Sequence, residues 1–279
     1  MKTGCLQLIL LIALSPCWAQ ERTDFKKASF QHKNFTLPYR ILYPKEFDVN
    51  KSYPLLLFLH GAGERGSDNE KQLTHGSTLF LNSENREDFP VISVFPQCPE
   101  KDYWSNVNIK KDANGNRVFD FSPKGEPTVP MAAVINLMDS LINTNTVDRD
   151  RVYVGGLSMG GMGTFEIVKR NPNLFAAAFP ICGGGNPKGV KKYAKKVSFW
   201  VFHGVKDDVV LHEYSEIMVK AIKKKGGEVK FSLYPEANHN SWDKAFSEPE
   251  LLTWIFSKNK KMAYPSDRFL DVMELELKE

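Results

Sequence analysis

The sequence predicts an α/β protein with a mostly parallel central sheet of about eight strands and helices on both faces. Short apolar runs rich in β-branched and aromatic residues recur along the chain, separated by segments of helical periodicity, as in a sheet buried on both sides. A serine ringed by glycines, in "GGLSMGG" (155–161), stands where one such run gives way to a helical segment. With 279 residues, 42% of them hydrophobic, the chain can bury the core this fold needs, and one domain is expected.

The first nineteen residues differ from the rest: Lys2, the apolar run "LQLILLIAL" (6–14), then Cys17 and Ala19 spaced like small cleavage-site residues. This predicts a signal peptide over 1–19 and export to the periplasm or the extracellular space after cleavage near Ala19. The run is too short for a permanent membrane anchor, so none is expected. A rival interpretation makes Cys17 a lipid-attachment site, but the proline directly before it departs from the small residue such a site carries. The formal charge of +4 is spread over 37 basic and 33 acidic residues without long runs, which speaks against a nucleic-acid partner or a polybasic membrane patch.

Beyond that segment, "FKKASFQHKN" and "FTLPYRILYP" alternate polar and apolar residues, as an antiparallel edge hairpin does. The parallel strands are expected at 53–61, 91–97, 151–158, 176–184, 198–204 and 229–235. Helices fit "PTVPMAAVINLMDSLIN", "MGGMGTFEIVKRNP", which stops before Pro172, "LHEYSEIMVKAIKKKGG", which ends on lysines and a glycine pair, and "EPELLTWIFSK". The insertion at 106–127 has alternation around Asn114-Gly115 and is expected as a hairpin or flap. Asp112, Asn114 and Asn116 resemble the start of a calcium loop, yet Arg117 and Pro123 replace its required glycine and glutamate, so no metal is expected. The tail at 264–279 is left as one docked amphipathic helix at most.

Ser158 follows the strand "RVYVG" and precedes a helix, the context in which Gly156 and Gly160 let a serine sit in a strained turn with its hydroxyl exposed. A serine hydroxyl is a poor nucleophile until a base takes its proton. In this architecture the base follows the serine and the acid, which leaves His203, His212 and His239. His203 lies inside a strand ahead of any acid, and His212 opens a helix. His239, in "YPEANHNSW" after the last strand, is the base. "FHGVKDDVV" offers Asp207 and Asp208 to orient it; we take Asp207, with Asp208 facing solvent or capping a helix. An oxyanion would be held by the backbone N–H groups of Met159 and, from the glycine-rich loop after "LLLFLHG", of Ala62. Trp104 and Trp242 are expected to border the site, where aromatic faces suit a sugar ring or a phenolic group.

The segments "YPLLLFLHGAGERG", "VFPQCP", "DRDRVYVGGLSMGGMGTF", "FHGVKDDVV" and "YPEANHNSWDKAF" resemble secreted α/β-hydrolase serine esterases. The similarity extends to the feruloyl and acetyl-xylan esterases of carbohydrate esterase family 1 and to the phospholipase/carboxylesterase and dienelactone-hydrolase groups. It implies an α/β-hydrolase fold and a triad of Ser158, Asp207 and His239, favouring Asp207 through the spacing histidine, glycine, two residues, aspartate. It also implies a strand order that separates the strands ending near Cys98 and Cys182, so these are expected as free thiols. The implied activity is removal of feruloyl or acetyl groups from plant-cell-wall polysaccharide, with a small ester or esterified oligosaccharide as the partner and no cofactor. Dienelactone hydrolases proper use a cysteine where this chain has Ser158. A serine peptidase of the prolyl-oligopeptidase kind and a non-catalytic binding protein are the alternatives.

Overall fold

A computed structural model describes residues 22–115, 117–121 and 125–260 of the protein. The expected signal peptide (1–19) and the segment 264–279 lie outside the described residues. The chain enters through β1 (Lys26–His32) and β2 (Phe35–Leu42), crosses the molecule in β3 (Tyr53–Leu59), and makes two short helices, α1 (Ser77–Leu81) and α2 (Ser83–Asp88), before β4 (Ile92–Pro96). A separate hairpin, β5 (Val107–Lys111) and β6 (Arg117–Phe121), follows. Then come α3 (Val129–Ile142), β7 (Val147–Leu157), α4 (Met159–Arg170), β8 (Ala177–Ile181), β9 (Ser198–Gly204), α5 (Glu213–Lys224), β10 (Val229–Tyr234), α6 (Trp242–Phe246) and α7 (Leu251–Phe256).

The main sheet has eight strands in the order β1-β2-β4-β3-β7-β8-β9-β10. The pairs β1/β2 and β2/β4 are antiparallel and the others parallel, so the edge hairpin sits where the alternating pattern places it. All seven residues of β3 are buried, which is why "YPLLLFL" reads as an unbroken apolar run rather than an alternating one. Its side chains nonetheless alternate between two cores. Leu55, Leu57 and Leu59 join the layer under α3, α4 and α5, whereas Leu56 and Phe58 join the layer under α1, α6 and α7. Helices therefore cover both faces.

Cys98 and Cys182 are buried free thiols, each just beyond its strand, β4 and β8, with β3 and β7 between those strands. The insertion forms a five-residue antiparallel ladder from Val107↔Phe121 to Lys111↔Arg117. It docks through Phe119 and Phe121, both edge-on to Tyr214 of α5, and through a 2.9 Å hydrogen bond from the Phe119 N–H to the Tyr214 hydroxyl. No helix among the described residues is long and apolar enough to cross a membrane.

Candidate active site

The parallel strands deliver their C-terminal ends to one edge of the sheet, where crossover loops have room to gather. Ser158 occupies the step from β7 into α4 with φ +53° and ψ −115°, a conformation that costs a non-glycine residue about 1–3 kcal/mol. The surrounding structure holds it there. The Ser158 N–H donates to the Ile181 carbonyl (2.9 Å), and its own carbonyl accepts from the Met162 N–H (3.0 Å) in the first turn of α4. The side chain is left facing the loops beyond β3, β9 and β10.

Asp207 lies in the turn after β9, buried, while its neighbour Asp208 is exposed. Its Oδ1 accepts the Val209 and Val210 N–H groups, both at 2.9 Å, which anchors that oxygen. Its Oδ2 accepts the Nδ1–H of His239 at 2.8 Å. On the other side of that ring, the Ser158 hydroxyl donates to Nε2 at 3.0 Å. Burial pushes the Asp207 carboxyl up, but the hydrogen bonds from His203, His239 and the Val210 N–H outweigh it and hold the group well below the usual carboxylate range.

The loops bearing Asp207 and His239 are laced together by the main chain. The Val205 N–H donates to the Tyr234 carbonyl and the Lys206 N–H to the Ala237 carbonyl, both at 2.9 Å. Gly204 permits this approach, since a Cβ there would lie 2.3 Å from the Ala237 oxygen. The sequence "FHGVKDD" thus needs its glycine for contact with the histidine loop.

A cleft of 230 Å³ opens above the Ser158 hydroxyl, lined among others by Ala62, Tyr103, Phe119, His239 and Trp242. Ala62 begins the short turn Ala62–Glu64 after β3, and Met159 is the first residue of α4, where an N–H has no carbonyl one turn back to bond. One expected oxyanion donor thus lies in a loop lining the cleft and the other opens the helix that follows Ser158. Trp242 stands edge-on to His239 with ring centroids 5.5 Å apart, and the His75 ring is 5.1 Å from it. A larger hollow of 520 Å³, lined by Phe89, Arg151 and Phe256, contains none of these groups.

Trp104 corrects the expectation that both tryptophans border the site. It is fully buried, and its Nε1–H donates to the His60 carbonyl at 3.1 Å, so it braces the loop carrying Ala62 and offers no face to a substrate. The neighbouring Tyr103 lines the cleft instead, together with Arg117 and Phe119 from the hairpin. Sequence patterning did not identify these three, because nothing local to a hairpin says which body surface it folds onto. His203 lies inside its strand as the sequence predicts, and its Nε2 is 3.1 Å from Asp207 Oδ2, a contact the sequence does not reveal.

Cys182, Asp207 and His239 place one sulfur, one oxygen and one nitrogen within 4.8 Å of one another. Burial keeps the thiol protonated, and the other two groups already bond to each other, so a cation would have to break that pair to bind here. What the arrangement can do as it stands is move a proton. A serine hydroxyl, an imidazole and a buried carboxylate in line, beside backbone donors, can generate an alkoxide and stabilise the charge that follows its attack on a carbonyl.

The chain is similar in sequence and fold to known proteins. Residues 60% of this chain long in extent are 29% identical, over 167 positions, to the bifunctional acetylxylan esterase/xylanase of Neocallimastix patriciarum, of whose length the match covers 21%. A solved thermostable esterase superposes with a TM-score of 0.78 at 33% identity, covering 86% of this chain and 64% of that one. A ferulic acid esterase shares the fold at a TM-score of 0.63 and 17% identity, covering 83% of this chain and 97% of that one. The chain thus spans about a fifth of the bifunctional relative and 64% of the thermostable esterase. A family model described as phospholipase/carboxylesterase matches residues 48–250, the stretch that runs from just before β3 to the start of α7 and contains every residue of the cleft, and the chain belongs to that family of α/β-hydrolases.

Proposed function

We propose that the protein is a serine carboxylic-ester hydrolase that removes feruloyl or acetyl groups from plant-cell-wall polysaccharide, exported by its N-terminal apolar segment. The observation that carries the reaction is the unbroken path from Asp207 Oδ2 through the His239 ring to the Ser158 hydroxyl, at 2.8 and 3.0 Å. His239 takes the hydroxyl proton as Ser158 Oγ attacks the ester carbonyl, and Asp207 stabilises the imidazolium. The Ala62 and Met159 N–H groups hold the oxyanion. His239 then returns the proton to the departing alcohol, and water releases the acyl group by the same steps in reverse order.

Support for the substrate class comes from the aromatic side chains of Tyr103, Phe119 and Trp242 around the cleft and from the esterase relatives. The test is hydrolysis of p-nitrophenyl acetate by the wild type and by Ser158→Ala, followed by methyl ferulate, acetylated xylan and a peptide panel. The variant is expected to lose on the order of 10⁶-fold in kcat. Turnover that survives in Ser158→Ala rejects the mechanism, and activity confined to the peptides rejects the substrate class.

A further inference from the structure

Asp207 is held by two histidines, and only one of them belongs to the proton path. His203, on β9, is fully buried and does not line the cleft. Its Nε2 lies 2.8 Å from the Val210 carbonyl and 3.1 Å from Asp207 Oδ2. Both neighbours are acceptors, so Nε2 must carry a proton. Its Nδ1 meets the Ser215 hydroxyl at 2.7 Å, and Ser215 in turn is 2.9 Å from the Gly183 carbonyl. The ring is thus fixed at both ends.

An accounting of lone pairs explains what this proton does. Asp207 Oδ1 is filled by two backbone donors, and Oδ2 receives His239 Nδ1–H and His203 Nε2–H. The strand "SFWVFHG" is otherwise a core strand in which an apolar side chain would bury at lower cost than imidazole. The titratable groups facing Asp207 are His203 from β9, His239 from the loop after β10 and the Cys182 thiol beyond β8, with Asp208 exposed.

We propose that His203 is a positioning residue for the Ser158–His239 pair: its Nε2–H pins Oδ2 in line with His239 Nδ1 and draws off part of the carboxylate's charge. The inference rests on the Ser158, His239 and Asp207 reading above. Without the second donor, Oδ2 is a stronger acceptor for His239, so the His239 imidazolium is favoured and persists to higher pH. The carboxylate is also freer to turn, so the plateau rate falls.

The experiment uses the full chain and compares His203→Leu, which fills the space without a donor, with His203→Gln, whose amide N–H replaces that of Nε2. The low-field proton of His239 is titrated by NMR, which needs no substrate, and kcat and KM are measured on p-nitrophenyl acetate. In His203→Leu the His239 midpoint is expected to rise. Its kcat is expected to fall roughly ten- to a hundredfold with KM within about twofold. His203→Gln recovers most of both. Should His203→Leu not fold, Ser215→Ala, which releases the far end of the ring, takes its place with a smaller shift of the same sign. An unmoved His239 midpoint, or a glutamine variant no better than leucine, overturns the proposal. Absence of ester turnover in a wild type whose His239 midpoint still responds to residue 203 rejects the esterase reading instead, so the two failures are distinct.

Discussion

The Cα of Gly160 packs so closely on the end of β3 that a Cβ there would lie 1.8 Å from the Leu59 carbonyl oxygen. This contact sets the start of α4 against the loop that carries Ala62, which brings the two proposed oxyanion donors close together. Gly160→Ala must push backbone against backbone, and no flexible side chain can yield. We expect about 3 kcal/mol or more of destabilisation, by overpacking. At Gly63, in the same loop, a Cβ would meet nothing within 4 Å, so Gly63→Ala should change stability by less than about 0.5 kcal/mol. Urea denaturation of the two variants checks the contrast.

His60 makes the loop sensitive to acid. Burial lowers its pKa to about 4, against the partial counter-effect of its hydrogen bond to the Gly61 carbonyl. Its Nε2 accepts the Cys98 N–H at 2.9 Å, a bond that protonation would destroy. The unfolded chain holds this proton below about pH 6.5, so between there and pH 4 it binds more protons than the folded chain, and stability falls as pH drops. The loss from this group alone should reach on the order of 3 kcal/mol. His60→Gln, whose amide oxygen can accept the same N–H, should unfold in guanidinium with a correspondingly flatter pH dependence between pH 7 and about 4.5.

Much of this was legible in the chain because it depends on local rules. The run "YPLLLFL" is buried on both sides and reads so, and Gly156-Leu157-Ser158-Met159-Gly160 announces a turn that only small residues permit. The order serine, aspartate, histidine then places the three groups at 3.0 and 2.8 Å. What stayed hidden depends on packing between distant segments. Trp104 and Trp242 are the same residue type, and only the tertiary fold sends one into the core under α4 and the other to the cleft. The helices α1, α2 and α6, of five or six residues, are too short to show a periodicity. His203 did carry a signal, a titratable ring in a strand of apolar neighbours, whose meaning waits on knowing that Asp207 folds back onto it.

The adjacent aspartates separate position from charge. Asp207→Asn keeps the shape but presents an amide to His239, so Nδ1 no longer has a carboxylate to fix its tautomer and stabilise its cation. A fall in kcat on the order of 10⁴-fold is expected. Asp208 is exposed and bonds to none of the three groups, so Asp208→Asn should retain kcat within about twofold. Steady-state kinetics on p-nitrophenyl acetate distinguish them, and a large loss in the second variant alone would reverse the assignment.

Trp242 offers a test between the two proposed acyl groups. Its ring contacts both His239 and His75, and with Phe119 and Tyr103 it gives the cleft its aromatic character. An acetyl group is too small to touch all three rings, whereas a feruloyl ring can stack on one of them, a contact worth about 0.5–1.5 kcal/mol beyond its buried area. For a feruloyl esterase, Trp242→Ala should therefore raise KM for methyl ferulate by roughly tenfold while changing KM for p-nitrophenyl acetate by less than about threefold. The ring also packs against the general base, so some common loss of kcat is expected on both substrates, and the informative quantity is the ratio of the two kcat/KM values. A ratio that does not move would place the acyl group away from Trp242 and favour acetyl as the group removed.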